Sequence, residues 1–296
     1  MKAAFMYSDL VEFLGIPQSE HDFVIEGFSP LVNTQPRTMT WTRTFDIDLS
    51  KIKASAVICP EGEHPNMPGV VFIPVANPGQ TIAKVIYHFS PFEKKVGVEK
   101  TAAIGEGCSI GQDVYIGHYA VIGNNVTIGD GTSIDAHVTL YDGVAIGKNC
   151  TILAGCVIGA PGFGFERECE GYIRFPHICT VVIGDNVEIG CNTCINRGAL
   201  TNTVIHDNVK IADLCSIAHG NYINEAALVT AGVIIAGSVR IGRNVWCGIN
   251  STIKEGLVVG DNAFIGMGAD VIIDVKEDEV VAGIPAKPVP WKPPRL

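Results

Sequence analysis

Basic residues are scarce in this sequence. Lys and Arg number 21 against 31 Asp and Glu, a formal net charge of −10 over 296 residues. That balance excludes nucleic acid as the main partner, because phosphate binding needs clustered Lys and Arg. It also runs counter to docking a strongly acidic carrier protein over a broad face. Charge of either sign is thin, at 18% of the chain, below the roughly 25% of an average globular domain. No apolar run approaches the roughly 18 residues of a membrane span. The first fourteen residues include Asp9 and Glu12 and lack the apolar core of a signal peptide. The chain is therefore expected in the cytoplasm, with no membrane span. Its ten cysteines are expected as reduced thiols, not as a disulfide framework.

Glycine, by contrast, is abundant at 33 residues, and a repeat of six organises it. Every sixth residue from Ile104 is aliphatic: Ile104, Ile110, Ile116, Ile122, Ile128, Ile134, Leu140, Ile146, Ile152 and Ile158. Glycine often follows, as at Gly105, Gly111, Gly117, Gly123, Gly129 and Gly147, and a small or β-branched residue lies two positions before. The series resumes at Ile183, Ile189 and Ile195, and after a shift of four runs from Ile205 to Val271. A period of six fits neither one α-helix nor one alternating strand. It predicts a short strand, a turn and a strand on the next face, three units closing a triangular coil. The fold class is thus mainly β, a left-handed parallel β-helix with a small N-terminal α/β domain. The aliphatic residues point inward and stack 18 positions apart, and glycine is expected to ease the turn. Each coil is stabilised by its neighbours, so both ends need caps.

The predicted boundaries are 1–98 for the N-terminal domain, 99–275 for the β-helix with an inserted loop at 160–181, and 276–296 for a proline-rich cap. In the N-terminal domain Ser8 is a candidate cap for a helix over 9–14. Strand-like stretches follow at 23–25, 54–59 and 69–75, and 81–89 reads as a helix. Two interruptions break the repeat, GAPGFGFERECEGYIRFPH and RGALTNT. A long loop in so regular a solenoid is more often functional than accidental. Cys191 and Cys194 form a C-x-x-C without the second pair that a zinc site needs, so no metal is expected. Cys108, Cys150, Cys156 and Cys215 fall on the small-residue position and read as core.

Flat coil faces offer no cleft, so a site is expected between chains. The reactive side chains interrupting the coils are His118, His137, His206 and His219. Around His219 the pattern itself departs: glycine is missing after the aliphatic at Ala212, Ala218 and Asn224, and Asn221 occupies a usually apolar corner. Spacing alone leaves His219 open between a solvated corner residue and a catalytic base. His118 and His137, and His206 and His219, do not have the spacing of the converging histidines of a metal-binding β-helix.

The motifs GFGF (162–165), FPH (175–177), IGDNVEIG (183–190), NTCINRGAL (192–200), KIADLCSIAHG (210–220) and IAGSVRIGRN (235–244) together resemble the UDP-3-O-acylglucosamine N-acyltransferase family of the lipid A and lipopolysaccharide pathway. VIEGFSPL (24–31) and KASAVICP (53–60) resemble that family's uridine-binding domain. The resemblance implies a homotrimer that acylates the amine of a nucleotide-linked amino sugar. It implies His219 as general base, Gly237 as oxyanion donor through its N–H, and Asp213 as a group orienting the imidazole. It places Trp41 on uracil, Phe163 and Phe165 in the acyl or pantetheine groove, and Asn196, Arg197 and His177 in substrate binding. It implies no cofactor beyond the acyl donor.

The sequence departs from the family where an acid becomes Asn196, where Gly220 follows His219, and at Gly256, where a second histidine is expected. The family's C-terminal helices, which help bind acyl carrier protein, are replaced by a proline-rich stretch. Two donors therefore stay open. One is acyl carrier protein with UDP-3-O-acylglucosamine; the other is an acyl-CoA with a UDP- or dTDP-amino sugar. A hexapeptide O-acetyltransferase using acetyl-CoA and a non-enzymatic or metal-binding β-helix are the alternatives.

Overall fold

A computed structural model describes residues 4–17, 22–45, 48, 51–91 and 93–288. The chain divides into two units, Met1–Lys94 and Lys95–Leu296. The division falls slightly before the repeat becomes visible, because Gly97–Val98 already pair with Tyr115–Ile116 of the coil.

In the first unit, Met39–Trp41, Ala56–Pro60 and Val71–Val75 form a parallel sheet. Two helices accompany it, α1 (Tyr7–Leu14) and α2 (Pro78–Phe89). Leu10, Ile25, Met39, Ile58, Ile73 and Val85 form its buried core. The α1 cap differs from the sequence expectation. Met6 precedes the helix and its N–H donates to Asp9 Oδ2 at 3.1 Å, whereas Ser8 Oγ donates to Asp22 Oδ2 at 2.9 Å. Ser8 lies inside the first turn and so cannot cap it. The α2 helix begins earlier than expected, because Asn77 Oδ1 accepts the Gln80 N–H and Pro78 opens the first turn.

The second unit is a three-faced parallel β-solenoid, as the six-residue repeat requires, with sheets of nine, eight and eleven strands. Strands pair in register with equivalents 18 residues on, such as Ile122 with Leu140 and Ile128 with Ile146. The inward aliphatics from Ile116 to Val271 form one continuous buried core. Each fully buried isoleucine contributes roughly 1.5–3 kcal/mol. Burial pushes the Cys156 thiol up to about 11 and the Cys247 thiol to about 12, so both are protonated, inert core groups at neutral pH.

The glycine after each aliphatic has a different task from the one expected. Gly117 and Gly129 are not in the left-handed region. A Cβ at Gly117 would lie 2.7 Å from Ala136 N, and one at Gly129 would lie 2.6 Å from Gly147 C. These glycines let consecutive coils approach. The left-handed turn comes two residues later, at Asn125, Asn149, Asn186 and Asn244, or at Gly107 and Gly131.

Between those two positions lies a ladder. The amide two residues past an aliphatic donates to an Asp or Asn side chain one coil on. The rungs are Glu106 to Asn124, Gln112 to Asp130, Asn124 to Asp142, Lys148 to Asp185, Asp185 to Asp207, Cys191 to Asp213 and Arg243 to Asp261, at 2.6–2.9 Å.

The two interruptions leave the core continuous. Ala145 pairs with Val182, so the first is carried outside the coil, where Phe165–Glu168 and Gly171–Arg174 form an antiparallel hairpin. Across the second, Val181 pairs with Thr203. At the far end Val280–Ala282 and Lys287–Pro288 form an antiparallel pair, and the Ala286 N–H donates to Asp270 O. These bonds turn residues 280–288 back on the last coils. The remainder of the proline-rich stretch, 289–296, lies outside the described residues.

Candidate active site

The inward Ile217 fixes one corner of the solenoid, and His219 projects from it two residues later, half-buried. Gly220 then takes a φ of +68°, the turn conformation that asparagine takes in other coils. The departure at Gly220 therefore keeps the backbone. Asn221 is completely buried: its Nδ2 donates to Ala218 O at 2.9 Å, and its Oδ1 accepts the Val239 N–H at 2.6 Å. The Gly220 N–H donates to Thr203 Oγ1, which itself donates to Asn196 O. The backbone either side of His219 is thus held to the coils above and below it.

Two glycines bracket the ring. A Cβ at Gly237, one coil above, would lie 2.7 Å from His219 Cε1 and 2.8 Å from Nε2. A Cβ at Gly162, from the insert, would lie 2.9 Å from His219 Cδ2 and 2.7 Å from His177 Nε2. His177 closes the third side, its ring centroid 4.9 Å from that of His219 in an edge-to-face contact. His177 Nδ1 lies 3.0 Å from Phe175 O. A carbonyl only accepts, so Nδ1 carries a proton; Nε2 is buried with no partner among the described residues, and in the neutral ring it is the nitrogen with the free lone pair. Burial, and secondarily the neighbouring His177, hold the His219 pKa below its ordinary value.

The Gly237 N–H completes the group. It occupies the donor position of the ladder, yet among the described residues it has no acceptor. The residue one coil on is Glu255, not Asp or Asn. An unpaired amide beside a neutral imidazole can hold negative charge on an oxygen while the imidazole takes a proton.

Asp213 is not part of this group. Its Oδ1 accepts the Cys191 N–H at 2.6 Å, and among the described residues it makes no hydrogen bond to His219. It sits on the adjacent corner as an ordinary rung. Asn196 and Arg197 act on the base of the insert. Asn196 Nδ2 donates to Ala160 O and Pro161 O, and Arg197 donates to Gly159 O and Asp142 O. A carboxylate at position 196 could make neither of the first two bonds. Phe163 is 88% exposed and meets Phe165 edge-on at 5.1 Å, while Arg174 lies over the Phe165 ring and donates to Gly162 O. Trp41 belongs to the first unit, where Arg43 lies over its ring and Gly79 leaves room for it.

Two of the other coil histidines have their own partners: His118 pairs with Glu99 and Thr101, and His137 stacks on Tyr119. Among the described residues, no three His, Cys, Asp or Glu side chains converge as metal ligands. The His177–His219 contact and the open rung at Gly237 were not anticipated from the sequence. The recurrence of Asp or Asn two residues past the aliphatic is the signal that would have revealed the second.

The repeats match the bacterial transferase hexapeptide family (six repeats) at 101–133 and 125–160, and the hexapeptide repeat of succinyl-transferase at 238–272. Three relatives are named UDP-3-O-acylglucosamine N-acyltransferase, that of Legionella pneumophila carrying the number 2. The Delftia acidovorans protein is 36% identical over 43% of this chain and 38% of its own length. The Legionella protein is 44% identical over 30% and 26%, and the Methylorubrum extorquens protein 38% identical over 45% and 38%. The matched stretch spans less than two fifths of these relatives' lengths. Among solved structures, the UDP-N-acetylglucosamine acyltransferase of Francisella novicida has a TM-score of 0.61 at 29% identity, covering 65% of this chain and 70% of that one. That of Bacteroides fragilis has a TM-score of 0.60 at 28% identity, covering 65% and 74%.

Proposed function

We propose that this chain is an N-acyltransferase that moves an acyl group from a carrier thioester to the amine of a nucleotide-linked amino sugar. The observation that carries the reading is the pairing of His219 with the unpaired Gly237 N–H one coil above it. The names and folds of the relatives support the class of reaction and of acceptor. In the proposed reaction the amine nitrogen attacks the thioester carbonyl and forms the C–N bond. The carbonyl oxygen becomes an oxyanion and accepts the Gly237 N–H. His219 takes the proton that the nitrogen loses. The C–S bond then breaks, and the proton goes from His219 to the departing thiolate. The products are an amide and a free thiol.

The donor is an acyl-CoA or an acylated carrier protein, and the acceptor is UDP-3-O-acylglucosamine or a related UDP- or dTDP-amino sugar. No cofactor enters these steps. Trp41 is the proposed stacking partner of the nucleotide base. Phe163 and Phe165 are the proposed walls for the acyl or pantetheine chain. The proposed assembly is a homotrimer, in which a second copy walls the open side of each corner site. The proposed location is the cytoplasm; among the described residues no helix is long and apolar enough to cross a membrane.

The base must be neutral to act, which fixes the sign of the pH dependence. A lowered His219 pKa keeps the imidazole neutral further into acid, so the base is lost only below the ordinary histidine value of about 6.5. An NMR titration of the His219 ring should show its midpoint below that value, with activity rising as pH passes upward through it. His177→Asn removes the smaller of the two causes and should move the midpoint up. A wild-type midpoint at or above the ordinary value would mean that burial does not depress it, and activity insensitive to His219 ionisation would remove it as the base.

A further inference from the structure

The ladder supplies an internal control for the one amide that the proposed reaction needs free. Among the described residues, all seven closed rungs end on Asp or Asn, at 2.6–2.9 Å. One methylene more changes the outcome. Glu225 stands one coil beyond Asp207, in the acceptor register, and that rung is open. Its carboxylate turns to its own amide and to Arg243 instead. Glu255 stands in the same relation to Gly237, with its side chain exposed, and that rung is open as well.

We infer that the site requires position 255 to carry no short acceptor: Glu255, too long to close the rung, leaves the Gly237 N–H unpaired beside His219 and available to the reacting oxygen. The inference rests on the reading of Gly237 as oxyanion donor. It has an unusual consequence. The conservative replacements, Asp and Asn, do the damage, whereas removing the side chain does not. Asp would place Oδ1 on the Gly237 amide as Asp261 does on Arg243 at 2.8 Å. Asn would do so as Asn124 does on Glu106 at 2.9 Å. The effect follows reach and not charge, because Asp and Asn share the reach and differ in charge.

The test uses the full chain with Glu255→Asp, Glu255→Asn, Glu255→Gln and Glu255→Ala. It reads amide-forming kcat and KM alongside hydrogen exchange of the Gly237 amide. Asp and Asn should slow that exchange and lower kcat about a hundred-fold or more, the effect of losing one oxyanion donor, with KM for the acceptor little changed. They should also raise the Tm, since each adds a bond absent from the wild type. Gln and Ala should keep wild-type exchange and kcat. Equal losses in all four variants would overturn the inference, since the role would then be charge or contact. So would unaltered Gly237 exchange in the Asp and Asn variants, or slowed exchange with kcat intact. A wild-type protein that forms no amide refutes the proposed reaction instead, and the exchange measurement still decides whether length opens the rung.

Discussion

Replacing His219 with alanine is expected to lower kcat for amide formation roughly a hundred- to ten-thousand-fold, the range for loss of a positioned general base. The fold should survive. His219 projects outward from the corner, while the neighbouring inward residue Ile217 stays buried in the continuous core. The turn is held by Asn221 and by the Gly220–Thr203 bond, neither of which uses the imidazole. The melting temperature should therefore move by only a few degrees, as is common for substitutions outside the core. Steady-state kinetics and calorimetry on the same preparation separate the two effects. A loss of less than about ten-fold with the fold intact would mean that another group takes the proton. His177 is then the next candidate, since its Nε2 carries the free lone pair.

Gly237→Ala is expected to be comparably damaging, at roughly a hundred-fold or more in kcat. The cause is geometric. The added methyl would lie 2.7 Å from His219 Cε1 and 2.8 Å from Nε2, closer than carbon atoms pack without repulsion. Either the imidazole swings away or the Gly237 segment shifts, and both separate the base from the oxyanion donor. Gly237 is not in the left-handed region, so alanine meets no backbone penalty there, and the loss reports the ring contact. Measured as kcat against KM, the fall should appear mainly in kcat, because the donor acts only once charge has formed on the oxygen. A Gly237→Ala protein with wild-type kcat would show that the imidazole does not work from its position against Gly237.

The solenoid was legible because one physical demand repeats. Each coil needs an inward aliphatic at a fixed corner, and Ile104 to Ile158 meet it without exception. The glycines were legible by position and misassigned by cause. A sequence does not distinguish a glycine needed for a left-handed turn from one needed for close approach. Gly117 is of the second kind, and Asn125 takes the turn at the corresponding place in the next unit. Asp213 illustrates a subtler ambiguity. The family resemblance made it a candidate partner of His219, yet the period places the two on different corners and makes Asp213 a rung acceptor like Asp130 and Asp142. His219 stood out as a departure from the repeat. Its contact with His177 did not, because an insert carries no period from which its return path can be deduced. Asn196 and Arg197 likewise reveal their bonds to Gly159, Ala160 and Pro161 only once the insert is folded.

The most direct measurement of the central claim is the mass of the product formed from a matched pair of acceptors. One is a nucleotide amino sugar with a free amine, UDP-3-O-acylglucosamine among those offered. The other is the same nucleotide sugar with that amine already blocked. Each is supplied with acetyl-CoA, longer acyl-CoAs and 3-hydroxyacyl carrier protein. One acyl group should be added to the free-amine acceptor, resistant to mild base as an amide is, and none to the blocked one. An ester on either acceptor, or acylation of the blocked sugar, would contradict it.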